Sequence, residues 1–332
     1  NYLAKDKIFG TSNAPKANLE SMRNGSSVKS ALFKLKEKTI VNFQKILPPE
    51  EAAFLGGVTL GERAEFSKEL KNAMSESGTT HLVALSGYNI SVIGWTIGAI
   101  CAWFLSRRAT FILSILAMAG FVLMTGAEAS VVRAAIMGAI ALIAGQLGRL
   151  YSLRNAIALT AFFMVLINPL ILRFDVGFEL SFLALLGIVY LGPVLRRLFR
   201  VKEEDDGFSP LQSFFTTLSA QLAVAPLLII NFGNFSALAL LSNVLILSFI
   251  PLTMALGFSA GFLGFISFHL SFLLAWFLNL LLSYELFIIK FFGQLNILKI
   301  TSMSNFFVII YYLLLIGVMI FTRNVSRLKR AS

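Results

Sequence analysis

Residues 207–284 read GFSPLQSFFTTLSAQLAVAPLLIINFGNFSALALLSNVLILSFIPLTMALGFSAGFLGFISFHLSFLLAWFLNLLLSY, with no aspartate, glutamate, lysine or arginine anywhere in the stretch. One helix needs about 20 apolar residues to cross the hydrocarbon core of a bilayer, so this run must hold several crossings. The rest of the chain agrees. Of its 332 residues, 57% are hydrophobic and only 14% charged, with a mean hydropathy of +0.80. A soluble globule of that length is nearer half apolar and a quarter charged. The expected class is therefore an all-α, polytopic integral membrane protein, because a helix satisfies its own backbone in lipid.

Outward from that stretch, apolar runs predict about nine spans, at 80–104, 109–126, 129–148, 154–172, 176–196, 210–231, 236–257, 260–284 and 304–322. An interfacial stretch is expected at 285–299, around Glu285, Lys290 and Lys299. Basic residues mark alternate loops: Arg107 and Arg108, then none, then Arg149 and Arg154, then Arg173 offset by Asp175, then Arg196, Arg197, Arg200 and Lys202. The acidic run Glu203 to Asp206 counts for little in the positive-inside rule, which makes the basic loops cytoplasmic. That places residues 1–80 outside and the basic tail 323–332, with Arg323, Arg327, Lys329 and Arg330, inside. An odd number of spans requires the same arrangement. The net charge of +11 sits in the loops and the two ends, where it orients the chain and attracts anionic partners.

Residues 1–80 are unlike the apolar remainder of the chain. Lys5, Lys7, Lys16, Arg23, Lys29, Lys34, Lys36, Lys38 and Lys45 alternate with Gly, Ser, Asn and Pro, and no apolar run is long enough to span. Val28, Leu32, Leu35, Ile40, Phe43 and Leu47 recur at helical spacing, with Lys34, Lys38 and Lys45 on the other side. This predicts an interfacial amphipathic helix over 28–47. Pro48-Pro49-Glu50-Glu51 should stop it and start another, since proline and acidic residues suit a first turn. Asn1 is no initiator methionine, and no signal peptide follows it, so the chain is expected to be cut from something longer. The single cysteine, Cys101, can form no disulfide within the chain.

Function is expected where polar side chains interrupt the apolar runs, because such groups in a membrane turn inward to partners or to a wet path. The first island is His81 with Ser86, Gly87, Tyr88 and Asn89. Gly87 admits a close approach by backbone or ligand, and Ser86 and Asn89 share a helix face; equally, such residues tighten helix contacts in membranes. The second runs from Glu128 to Arg133, which lies a turn or more into an apolar helix. Arg133 either meets an anionic ligand or forms an ion pair with Glu128, Asp175 or Glu179. The third holds Asp175 and Glu179 with Phe178 and Phe182, where Asp175 either serves a ligand path or simply caps a helix N-terminus.

The ordered segments HLVALSGYNIS, TGAEASVVRAAIMGAIALIAGQLGR, LRNAIALTAFFMVLINPL, FDVGFELSFLALLGIVYLGP, LSAQLAVAPLLIINFG and LSNVLILSFIPL resemble the competence domain of the ComEC family. The resemblance covers roughly residues 45–322, with PPEEAAFLGGVTLGERAEFSKELKNAMSESGTTHL matching the entry to that domain and NYLAKDKIFG, at 1–10, the end of an OB-like domain before it. It implies a multi-pass channel in the bacterial cytoplasmic (inner) membrane that passes single-stranded DNA inward during natural transformation. Two positions depart from the family, which commonly has histidine where Asn89 stands and glutamine where Glu179 stands. The family often continues into a metallo-β-lactamase-like nuclease domain, which is not part of residues 1–332.

Such a path needs cations or hydrogen-bonding groups for phosphates and flat surfaces for bases. Arg133, Arg149 and Arg154 are the candidates for the former, Tyr88, Phe178 and Phe182 for the latter, with His81, Ser86, Gly87, Asn89 and Gln221 completing the candidate path. Glu128, Asp175, Glu179, Asn231 and Asn243 are expected to be structural polar or ion-pair groups. His81 and His269 are the only histidines and belong to no spaced cluster, so no zinc site of the nuclease kind and no metal or other cofactor is expected. No phosphate-cradling G-x-x-x-x-G-K-[ST] loop occurs either. The chain is read as not an enzyme, with a separate DNA receptor, a nuclease and a cytoplasmic ATP-driven motor or single-strand-binding proteins as partners alongside membrane lipid. The pairs Ser86 with His81 and Asp175 with Glu179 lack an orienting group or an oxyanion site and are poor evidence for hydrolysis. Two other classes remain open: a small-anion transporter built on the same arginines, and an intramembrane hydrolase, which would need His81 or Glu128 beside a nucleophile.

Overall fold

The computed structural model describes residues 26–83, 87–199, 201, 210–233, 235–236, 238–295, 299–300 and 304–331. Residues 1–10, expected to close an OB-like domain, and Ser86 lie outside the described residues. For Gly87, Tyr88 and Asn89 only the backbone is described. The chain is all-α: α1 Ser27–Ile46, α2 Pro49–Leu60, α3 Lys68–Glu76, α4 Gly87–Phe104, α5 Arg107–Met124, α6 Ala129–Gln146, α7 Leu153–Ile167, the short α8 Ile171–Phe174, α9 Val176–Leu186, α10 Gly192–Leu198, α11 Pro210–Phe232, α12 Ala239–Leu247, α13 Ile250–Ile266, α14 Phe268–Gln294 and α15 Asn305–Ala331. A π-helical turn, Gly187–Leu191, joins α9 to α10. Two-residue strands β1 Phe235–Ser236 and β2 Lys299–Ile300 pair antiparallel.

Among the described residues, five helical stretches are long and apolar enough to cross a membrane: Arg107–Met124, Ala129–Gln146, Val176–Leu198, Phe214–Phe232 and Phe268–Gln294. α12 and α13, which meet at a bend of 48°, make a sixth if they count as one span. Val92–Phe104, Leu153–Ile167 and Phe306–Thr322 are shorter apolar helices where the first, fourth and ninth spans were expected. The chain is a polytopic membrane protein.

Three expected boundaries need correction. α7 ends at Ile167 rather than running to 172, because Pro169 drives the residue before it out of the helical region, and Asn168 sits at φ −144°, ψ 93°. The division expected at 257/260 falls inside α13. The chain breaks instead after Leu247, where Pro251 has no N–H for the Leu247 carbonyl, and again at Ser267, a residue type that favours a helix start. Finally, the stretch expected to begin at 285 is not separate from the preceding span, since α14 continues through Glu285 and Lys290 to Gln294 and Glu285 is fully buried.

The contacts divide the chain into two units. In the first (residues 1–66, 81–178 and 252–282) α4, α5 and α6 pack through small residues. Met118 Sδ lies 3.2 Å from where a Cβ would stand on Gly94 of α4 and on Gly138 of α6. Glycine lets these helices approach closely, and a flexible thioether fills the irregular space left between them. α1 lies where a helix was expected, with Phe43 and Ile46 buried and Val28, Phe33 and Leu35 exposed. The twelve-residue α2 is buried from Ala52 to Leu60; at about 1.5 Å per residue it is too short to span. Leu55 and Thr59 of α2 press on Gly257, and Thr39 and Phe43 of α1 on Gly261.

In the second unit (residues 67–80, 179–251 and 283–332), Leu191, Leu195 and Phe215 form a buried cluster joined by Leu222, Leu315 and Met319. α11 continues through Pro226. Proline has no N–H to offer the carbonyl four residues back, and that carbonyl, on Leu222, instead accepts the Tyr311 hydroxyl at 2.7 Å. Tyr312 donates to the next carbonyl, on Ala223, at 3.1 Å. Helices in lipid tolerate proline when a neighbour satisfies the freed group in this way.

Candidate functional site

The first two polar islands meet through a residue that sequence reasoning passed over. Arg63, in the loop after α2, donates from Nε to the Val83 carbonyl at 3.1 Å, beside the 3₁₀ turn that carries His81. Its Nη2 lies 3.5 Å from both carboxylate oxygens of Glu128. The pair is part-exposed, at 39% and 43%, so the direct energy is modest, roughly 0–1 kcal/mol. Its effect is positional, tying the approach to α4 to the start of α6. Glu128 follows a tight turn in which Gly126 has φ 82° and Ala127 φ 57°, an uncommon region for a residue with a Cβ. Nothing in the local pattern of Arg63 signals a partner 65 positions away.

Glu62, beside Arg63, anchors α1 to the same loop. Lys36 Nζ stands 3.1 Å from its Oε2, and the Ala64 N–H donates to its Oε1 at 3.1 Å. Burial raises the carboxyl, but these hydrogen bonds and the Lys36 charge outweigh it and hold the group below its ordinary 4.5.

Arg133 lies five residues into α6 from Glu128, about 7.5 Å along the helix axis at 1.5 Å per residue. It is only 8% exposed. Among the described residues its Nε has no hydrogen-bond partner and it forms no ion pair. Glu128, the nearest expected partner in sequence, is engaged by Arg63. Asp175 accepts the Phe178 N–H at 3.1 Å, so it caps α9. Glu179 follows in the first turn of α9, half-buried. A buried guanidinium without a counter-charge is costly in an apolar helix.

The other expected residues are spread along the chain. Arg149 and Arg154 are exposed in and just after the turn that follows α6. At 1.5 Å per residue the end of α6 lies about 20 Å from Arg133, so these cations stand at different depths rather than in one cluster. Phe178 and Phe182 are buried, 6% and 8% exposed. His81 is exposed and Gln221 half-buried in α11. Asn231 Nδ2 donates to the Leu227 carbonyl at 2.9 Å. Asn243 is buried, with its Oδ1 unpartnered among the described residues, beside Ser242, whose hydroxyl donates to the Ser77 carbonyl at 2.8 Å. Among the described residues no group of three His, Cys, Asp or Glu side chains is placed to hold a metal.

The sequence has known relatives. No solved structure matches the chain. The ComE operon protein 3 of Bacillus subtilis (strain 168) is 30% identical over 251 residues, which cover 73% of this chain and 31% of that protein. The chain thus spans about a third of the length of that relative. The family described as Competence protein matches residues 58–324, a span that includes α4 to α14 and every side chain of the arginine and glutamate network except Lys36, and the chain therefore belongs to the competence protein family.

Proposed function

We propose that this chain forms the path by which single-stranded DNA crosses the bacterial cytoplasmic membrane during natural transformation. The observation that carries the reading is Arg133, a cation nine-tenths buried in an apolar helix with no anion of the described protein beside it. A fixed counter-ion would make it a structural pair; without one, the group is suited to an anion that comes and goes, and a nucleic acid strand offers one phosphate per nucleotide. Arg149 and Arg154, exposed beyond the far end of α6, are placed to receive the strand there. Contacts must remain weak enough for release.

On this reading the chain guides and does no chemistry. Cleavage of the incoming duplex and ATP-driven pulling belong to partner proteins, and residues 1–80 face outward while the basic end faces the cytoplasm. The bend between α12 and α13 supports a second reading, since small-anion transporters use discontinuous helices at their binding sites.

One experiment separates the two. The chain, purified in detergent, is titrated with a fluorescent 20-nucleotide strand over a range of salt. The DNA reading expects weak binding that falls steeply with salt, by about 0.7 log units per log unit of salt for each phosphate contact. It also expects no nicking with or without divalent metal. Displacement of the strand by millimolar inorganic phosphate at constant ionic strength would favour the transporter, and absence of strand binding would end the DNA reading.

A further inference from the structure

A second polar feature of the first unit stands apart from Arg133. At the end of the bundle where α4 finishes, α5 begins and α6 finishes, a cleft of about 430 Å³ opens between the three helices. Its polar lining is Arg107, Thr110, Ser114 and Gln146, and its walls include Phe111 and Leu142. Arg107, Thr110 and Ser114 recur at intervals of three and four along α5 and so share one face of that helix. They form a ladder of donors leading from the helix end into the bundle.

The electrostatics of this end are unbalanced. α5 opens on Arg107 and Arg108 with no acidic residue in its first turn, although a helix N-terminus already carries partial positive charge. Arg107 Nη2 donates to the Gly145 carbonyl, and Gln146 Nε2 donates to the Arg107 carbonyl at 3.1 Å. This clip caps α6 but uses one of the five N–H donors of a guanidinium. One turn deeper, Thr110 Oγ1 is buried with no hydrogen-bond partner, and Ser114 beyond it is only 1% exposed. Helix capping by Arg107 does not account for the Thr110 hydroxyl.

We propose that this cleft binds the phosphate headgroup of an anionic phospholipid, with Arg107 and Thr110 as its ligands and the apolar walls taking the first part of an acyl chain. Charge complementarity selects an anion: the site joins a helix N-terminus to a guanidinium and an unused hydroxyl. Depth selects a lipid. Trp103 and Phe104, at the end of α4, are 86% and 83% exposed, as aromatic side chains are where a helix meets the headgroup layer. Basic pockets between helices on the cytoplasmic side are known headgroup sites, and the positive-inside rule assigns this end to the cytoplasmic leaflet. A DNA strand would need a polar path to continue, whereas Phe111 and Leu142 are apolar.

The test is native mass spectrometry of the whole chain in detergent, titrated with phosphatidylglycerol and, separately, phosphatidylcholine. The wild-type chain should retain phosphatidylglycerol at about one-tenth the concentration needed for phosphatidylcholine. Arg107→Gln should lose that preference at least fivefold, and Thr110→Val, which keeps the side-chain shape and so the fold, should weaken it about threefold. Arg108→Gln, outside the cleft, should keep it. Wild-type retention in both Arg107→Gln and Thr110→Val overturns the proposal; so does an equal loss in Arg108→Gln, which would mean diffuse surface charge. Displacement of the lipid by an oligonucleotide would also overturn it, in favour of a DNA phosphate in the cleft.

Discussion

Replacing Arg133 with methionine should make the folded protein more stable while weakening its hold on DNA. The side chain is 8% exposed, with its Nε unpartnered. Removing one member of a buried ion pair strands the other charge and costs about 3–5 kcal/mol, whereas replacing buried charge by well-packed apolar side chains is often stabilising by about 1–4 kcal/mol. With no partner to strand, Arg133→Met should follow the second case. At roughly 2–4 °C per kcal/mol, thermal unfolding in detergent should rise by several degrees. The slope of log affinity for a single strand against log salt should meanwhile fall by about 0.7, the value of one lost phosphate contact. Arg133→Lys, which keeps charge but loses the planar fork, should retain most of the slope. A methionine variant that unfolds several degrees below wild type would show that the guanidinium is held by a structural partner. An unchanged salt slope would remove it from the DNA path.

Tyr311→Phe should leave the Leu222 carbonyl, freed by Pro226, without its 2.7 Å hydrogen bond, a loss of about 1 kcal/mol for a part-buried acceptor; thermal unfolding of the variant in detergent checks this, and an unchanged midpoint would contradict it. Glu62 is held below its ordinary 4.5 in the folded chain, so its contribution is complete above that value and is lost as pH falls through the lowered folded one. Glu62→Gln should therefore melt below wild type at pH 7, and the gap should close as pH drops from about 4.5; a gap that widens in acid would reverse the sign of the argument. In a Cys101→Ala background, an impermeant maleimide added to intact cells should label Ser30→Cys in α1 but not Leu150→Cys, which is 99% exposed after α6; labelling of both would refute the topology.

Sequence pattern revealed the all-α membrane class because absence of charge over residues 207–284 leaves no other solution. The helix α1 was equally plain, since apolar positions there keep a helical period. Helix breaks were less legible: hydropathy is blind to Pro251, which cuts an unbroken apolar run, and it mistook Glu285 for a surface marker although that carboxyl lies buried in α14. Arg133 stood out as a cation in apolar sequence, but the sequence left open whether it meets a ligand or a carboxylate. Glu128 is claimed by Arg63 and Asp175 by the first turn of α9, contacts set by tertiary packing and by the backbone rather than by spacing. The Arg107 and Gln146 clip joins residues 38 and 39 positions from their partners, and no local signal announces it.

Passage of a strand across a bilayer can be read from its entry into sealed vesicles. The chain is reconstituted into liposomes that enclose a complementary oligonucleotide, which traps any strand that enters by pairing with it. A fluorescent strand of about 20 nucleotides, longer than the roughly 4–16 that one single-strand-binding module covers, is added outside. External nuclease then digests whatever remains accessible. A nuclease-protected fraction should grow with time, require the enclosed complement and be strongly reduced in Arg133→Met. A protected fraction no greater than that of protein-free liposomes, with the chain shown to be inserted and folded, would contradict strand passage.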